Sequence, residues 1–198
     1  MKFPYHLIWP LATGLSLHAQ DTSPRFGFEF FLTVPTGILS QTFTGTLGQG
    51  VALNVDHDIF TKQQIRFTGG YSQFLGRSLH GAPPTKGSRA NLSQFSASIN
   101  YLYFINPKRI GPYVFAGLGD RIFQGDAPLP DGSHPAGSSD NPVLGEERYS
   151  LGTGHKLAYA AGVGYAFGDN WGLALRYQAS RSKGHTLGTL EAALSYRY

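Results

Sequence analysis

The stretch Leu187-Gly188-Thr189-Leu190-Glu191-Ala192-Ala193-Leu194-Ser195-Tyr196-Arg197-Tyr198 decides the fold. Leu190, Ala192, Leu194, Tyr196 and Tyr198 recur at every second position, with Glu191, Ala193, Ser195 and Arg197 between them. A repeat of two places successive Cβ atoms on opposite sides of the backbone, so this is a strand. One face is aliphatic and aromatic, while the other mixes two charges with two small residues. Charges among small side chains suit a crowded polar interior, which leaves the apolar face for hydrocarbon.

Working back from that strand, the chain divides into eight alternating segments. Phe26 to Val34 sets Phe26, Phe28, Phe30, Leu32 and Val34 against Gly27, Glu29 and Thr33. Val51, Leu53, Val55 and Ile59 oppose Ala52, Asn54, Asp56 and Asp58, and Ile65, Phe67 and Tyr71 oppose Arg66, Thr68, Gly70 and Ser72. In the fourth, Phe95, Ala97, Ile99, Tyr101 and Tyr103 face Ser96, Ser98 and Asn100 across the backbone. The fifth, Gly111 to Phe123, reads both ways, since Val114/Ala116/Leu118 and Tyr113/Phe115 both suit an apolar face. The sixth runs from Leu157 to Phe167 with Ala and Gly opposite its large residues, and the seventh sets Trp171, Leu173, Leu175 and Tyr177 against Gly172, Ala174, Arg176 and Gln178.

The connections alternate in length. Thr61-Lys62-Gln63, Asn106-Pro107-Lys108-Arg109 and Gly168-Asp169-Asn170 are tight turns of suitable residues. Pro35 to Leu47, Gly76 to Asn91, Gln124 to Lys156 and Arg181 to Thr186 are longer. An even number of strands of about ten residues, with short turns at one end and long loops at the other, predicts a closed eight-stranded antiparallel up-and-down transmembrane β-barrel, an all-β fold. The expected orientation puts the turns and both mature termini in the periplasm and the long loops outside the cell.

Composition agrees. The 198 residues include 26 Gly and are 14% aromatic, where Gly averages roughly 7% of ordinary proteins. A mean hydropathy of -0.18 does not oppose a membrane location, because barrel strands meet lipid only at alternate residues. No run of about 18 apolar residues follows the N-terminal segment, which excludes a helical membrane protein. The chain has no Cys, so disulfides, thiolate zinc sites and thiol nucleophiles are excluded. Lys2, the apolar run Leu7 to Leu17 and Leu17-His18-Ala19 before Gln20 predict an export signal over residues 1–19, with the barrel domain over 20–198.

Gly111-Pro112-Tyr113-Val114, Gly162-Val163-Gly164-Tyr165 followed by Gly168-Asp169-Asn170-Trp171, and the ending Leu194-Ser195-Tyr196-Arg197-Tyr198 resemble the small eight-stranded outer-membrane barrels of Gram-negative bacteria. That group includes the transmembrane domain of outer membrane protein A and outer membrane protein X. The resemblance covers nearly the whole mature chain. It implies a monomer in the outer membrane, in contact with its lipid and lipopolysaccharide. It also implies that Tyr196 and Tyr198 form the signal read by the barrel-assembly machinery, with Tyr198 standing where the family usually ends in Phe. No peptidoglycan-binding domain follows, so that anchoring role is not expected.

Candidate site residues lie on the predicted inner face. Glu29, Asp56, Arg66 and Arg176 should share one depth, with Glu191 higher and Arg197 lower. An interior this narrow is filled by side chains, and its charges must pair because an unpaired buried ion costs several kcal/mol. These six residues are therefore expected to form a salt-bridge network plugging the lumen; a narrow path for ions or small solutes is the alternative. His80, His134, His155 and His185 fall in three long loops that share the extracellular end, without recognisable ligand spacing or a carboxylate cluster, so no metal and no cofactor is expected. Arg77, Lys86, Arg89, Lys156, Arg181 and Lys183 could pair with lipopolysaccharide phosphates.

A net charge of +4 without a basic stripe of interleaved aromatics disfavours nucleic acid. Lipid A deacylases are similar barrels with His and then Ser two residues later on strand seven. Tyr177-Gln178-Ala179-Ser180-Arg181-Ser182 has no His there, so no enzyme is expected. The expected role is structural or surface interaction. The rival soluble reading is a secreted lipocalin-like barrel, with the apolar face turned inward onto a ligand.

Overall fold

The computed structural model describes residues 23–37, 39–40, 46–75, 91–125, 155–182 and 185–198. The predicted signal, most of the long loops, and with them His80, His134, Arg77, Lys86, Arg89 and Lys183, lie outside the described residues. Eight strands follow in chain order: β1 (Arg25–Gly37), β2 (Gly48–Phe60), β3 (Gln63–Leu75), β4 (Asn91–Phe104), β5 (Gly111–Gly125), β6 (His155–Phe167), β7 (Trp171–Ser182) and β8 (His185–Arg197). Each pairs antiparallel with its neighbours in sequence, and β1 pairs with β8 to close the barrel. Closure leaves no free sheet edge, so the strand backbones satisfy one another.

The register fixes the tilt. Stepping across the pairings leads from Gly27 through Asn54, Thr68, Ser98, Gly119, Ala158, Ser180 and Leu187 back to β1 at Gly37, ten residues from the start. Ten residues of about 3.3 Å over eight strand spacings of about 4.8 Å give strands inclined about 40° to the axis. This is the inclination that closed barrels of this kind adopt.

Outer and inner faces separate as the alternation requires. Phe28, Leu53, Ile99, Leu118, Val163 and Leu175 are exposed on the outside. Glu29, Asn54, Asn100, Arg121, Arg176 and Glu191 are buried inside. This arrangement is opposite to that of a soluble ligand-binding barrel, whose apolar face would be the hidden one. Rings gather outside near the three short turns, with Trp171 against Tyr196 at 4.9 Å and Tyr165 against Phe167 at 4.8 Å. Tyr71 and Phe95 pack at 4.9 Å towards the other end.

One detail settles a point the sequence left open, and two depart from the sequence reading. In β5, Val114, Ala116 and Leu118 face outward, and Tyr113 and Phe115 turn inward. They fit because Tyr113 pairs with Gly164 and Phe115 with Gly162 across β6, and a Cβ on either glycine would run into the ring. In β2 the register shifts between Asp58 and Phe60, so that Phe60 is exposed and Ile59 is half-buried. Strands also run further into the loops than apolar alternation suggests: Pro35, Thr36 and Gly37 still pair with Thr189, Gly188 and Leu187, and β6 starts at His155. Ladder pairing continues where an apolar outer face is no longer needed.

Candidate functional site

All six candidate lumen residues, Glu29, Asp56, Arg66, Arg176, Glu191 and Arg197, are at most 7% exposed. They form two groups rather than one layer. In the deeper group, Arg176 stands directly across β7–β8 from Glu191, so Glu191 lies level with it rather than above. Its Nε donates to Glu191 Oε2 at 2.6 Å, and its Nη2 meets Glu29 Oε1 at 2.8 Å, tying β1, β7 and β8 together. The guanidinium also lies 5.3 Å from the centre of the Phe31 ring, a cation–π contact on the inner face of β1.

The second group sits nearer the turns. Asp56 pairs across β2–β3 with Arg66, which donates from Nε at 2.6 Å and Nη2 at 2.8 Å, a bidentate fork. Arg197 Nη1 approaches the same carboxylate at 3.7 Å. At the rim, Asp58 meets Arg25 at 3.0 Å, is paired with Arg109, and accepts from Gln64 Nε2 at 2.9 Å. Asp58 is the hub of this rim although the alternation marked it only as inward-facing.

Sequence reasoning missed Arg121. It is 1% exposed, and its guanidinium donates to Gln94 Oε1, to the Leu187 carbonyl at 3.2 Å and to Thr189 Oγ1 at 3.2 Å. Thr189 in turn donates to Glu191 Oε1 at 3.1 Å, which links Arg121 to the deeper group. The available signal was parity: once Val114, Ala116 and Leu118 are outward, Arg121 must be inward. Between the groups, Thr68 donates to Asn54 at 2.9 Å and Asn100 donates to Ser98 at 3.0 Å, so neutral polar side chains continue the filling.

The other candidates are dispersed. His155 opens β6 on its outer face and pairs with Asp120 of β5. Among the described residues, no three His, Cys, Asp or Glu side chains converge as a metal site would require. Arg181 is exposed near the end of β7, and His185 begins β8. Tyr196 is half-buried on the outer face beside Trp171 and Phe28, and Tyr198 is 73% exposed at the turn end, with its backbone N–H donating to the Phe26 carbonyl at 3.0 Å.

The family model of the outer membrane protein beta-barrel domain matches residues 7–198. No curated protein matches the sequence. Among solved structures, the chain is similar to Ail, the attachment invasion locus protein of Yersinia pestis, with 14% identity, a TM-score of 0.51, and coverage of 88% of this chain and 97% of that one. The same protein in a phospholipid bilayer nanodisc gives 13%, 0.50, 89% and 100%. The N-terminal β-barrel domain of Pseudomonas aeruginosa OprF gives 9% identity, a TM-score of 0.51, and coverage of 88% and 97%. At these identities the likeness shows the fold. A family match running through all eight strands of a closed barrel makes this chain a member of the outer membrane protein beta-barrel domain family, and the outer membrane its location.

Proposed function

We propose that this protein is a monomeric structural or surface-interaction component of the outer membrane, with a plugged lumen and no enzymatic activity. The observation that carries the reading is the Arg176 bridge to Glu29 and Glu191, buried in the barrel and reinforced by Arg121 through Thr189. Side chains fill the space a solute would need, which leaves the loop end as the working surface. In this reading residues 1–19 are removed on export, the turns and termini face the periplasm, and the loops face outward. There, basic side chains such as Arg181 meet lipopolysaccharide phosphates.

Planar-bilayer recording tests the plug. Wild-type protein is expected to give no reproducible single-channel steps. Steps that change on Arg176→Met substitution would instead establish the narrow ion or small-solute channel. Tags placed in the 126–154 segment and in the 168–170 turn test orientation: only the first should be reached by antibody on intact cells.

The terminal residue is proposed to act in delivery. Tyr198 stands at the turn-end rim of the outer face, so its replacement by Ala should cost about 1–3 kcal/mol at most. Tyr198→Ala should therefore reduce outer-membrane levels in cells while refolding in detergent proceeds as in wild type. Equal outer-membrane levels would remove the assembly role from Tyr198.

A further inference from the structure

The two charge groups differ in balance. In the deeper one, Arg121 and Arg176 stand with Glu29 and Glu191, two cations to two anions. Near the turns, Arg25, Arg66, Arg109 and Arg197 share only Asp56 and Asp58 among the described residues. Lys108 and Asp169 add one charge of each sign at the same mouth. An excess of two positive charges at a mouth where Arg25 and Arg109 are part-exposed and Lys108 is exposed gives a local field that attracts an anion.

Space for that anion is present. Arg25, Lys108, Arg109, Asp169 and Arg197 line a cavity of about 170 Å³ at the barrel's turn end. One water occupies roughly 30 Å³, so a multi-atom oxyanion fits with solvent beside it. Arg197, 4% exposed, has an Nε with no hydrogen-bond partner among the described residues. Its backbone is held from both sides, its N–H donating to the Asn170 carbonyl at 2.7 Å and its carbonyl accepting from Asn170 Nδ2 at 2.7 Å.

Arg109 supplies an independent sign. Its φ of 55° lies in the left-handed region, where a residue with a Cβ is uncommon. In that conformation its Nε donates to the Thr61 carbonyl at 3.0 Å and its Nη2 to the Phe60 carbonyl at 3.1 Å. The disfavoured turn thus pins one cation at the rim, with its donors already engaged, and leaves Arg25, Lys108 and Arg197 to meet a ligand.

We infer that the turn-end mouth is an oxyanion site that takes a phosphate or carboxylate group, with Arg25, Lys108 and Arg197 as donors and Arg109 as a fixed rim charge. A ligand arriving from the periplasm follows from the orientation proposed above, whereas the site itself does not depend on it. Three sources share this chemistry: free phosphate, a lipid phosphate headgroup, and a peptide carboxylate of the cell-wall side.

The mature chain refolded in uncharged detergent provides its own reporter. Trp171 directly follows the Gly168-Asp169-Asn170 turn, and the chain's other tryptophan, Trp9, lies in the predicted signal. Inorganic phosphate, glycerol phosphate and an N-acetylated dipeptide with a free carboxylate are titrated separately at low ionic strength. At least one should change Trp171 fluorescence saturably, and the one that binds best identifies the source. Lys108→Ala should weaken it about tenfold, equivalent to about 1.4 kcal/mol, and Lys108→Ala with Arg25→Gln should abolish saturation. His155→Ala, at the opposite end, should bind as wild type.

The absence of saturation with all three ligands would overturn the site. So would unchanged affinity in Lys108→Ala, whose exposed position spares the fold, or an equal loss in His155→Ala. Binding in detergent reports the site whichever way the barrel faces, so a reversed orientation in the tag experiment is a separate failure.

Discussion

Replacing Arg176 by Met should destabilise the refolded barrel by about 3–5 kcal/mol, the usual effect of removing one partner from a buried ion pair. Arg176 lies between Glu29 at 2.8 Å and Glu191 at 2.6 Å, and both carboxylates are at most 2% exposed. Met retains most of the stem that packs on Phe31 but leaves two like charges facing each other in the lumen. Gln178 Nε2 donates to Glu191 Oε2 at 3.3 Å, which offsets only a little of that penalty. The same substitution combined with Glu29→Gln and Glu191→Gln should recover most of the loss, because the uncompensated charges go with it. Urea midpoints in detergent distinguish the cases. A single variant as stable as wild type would mean that the lumen admits enough water to solvate both carboxylates, and the plugged-lumen reading would fail with it.

The fold was legible because lipid and lumen impose opposite demands at alternate residues, as the β8 ending shows without help from any neighbour. The lumen was legible only in part. Alternation identifies which residues point inward, but not how far one strand slides past the next. Counting along single strands therefore puts Glu191 above Arg176, whereas the register sets the two opposite each other. Arg121 was hidden by β5, where aromatic and aliphatic residues occupy both faces. The information lay on the adjacent strand: Gly162 and Gly164 on the inner face of β6 mark where the Phe115 and Tyr113 rings must go. Reading one strand's glycines against its neighbour's rings would have fixed β5, and with it the inward Arg121. The rim was harder to read, since Arg25 of β1 and Arg109 of the β4–β5 turn meet at Asp58 of β2, a juxtaposition that no single strand's alternation shows.

That pairing of ring and glycine sets the second large effect. Tyr113 is 3% exposed and packs with Leu102, Phe104 and Ala166, its ring 5.0 Å from that of Phe104. Tyr113→Ala should cost about 3–5 kcal/mol, as for other large-to-small changes of buried aromatics. Gly164→Ala is a small-to-large change, since the new Cβ would occupy the position of the Tyr113 ring, and should cost about 1–3 kcal/mol. The two losses should not add. With Tyr113 already truncated, the methyl group introduced by Gly164→Ala enters the space the ring has vacated, so the double variant should be no less stable than Tyr113→Ala alone. A double-mutant cycle in urea measures this coupling, expected at about 1–3 kcal/mol in the favourable direction. Additive losses would mean that the ring and the glycine do not share one site. The inward assignment of β5, on which the position of Arg121 depends, would then have to be given up.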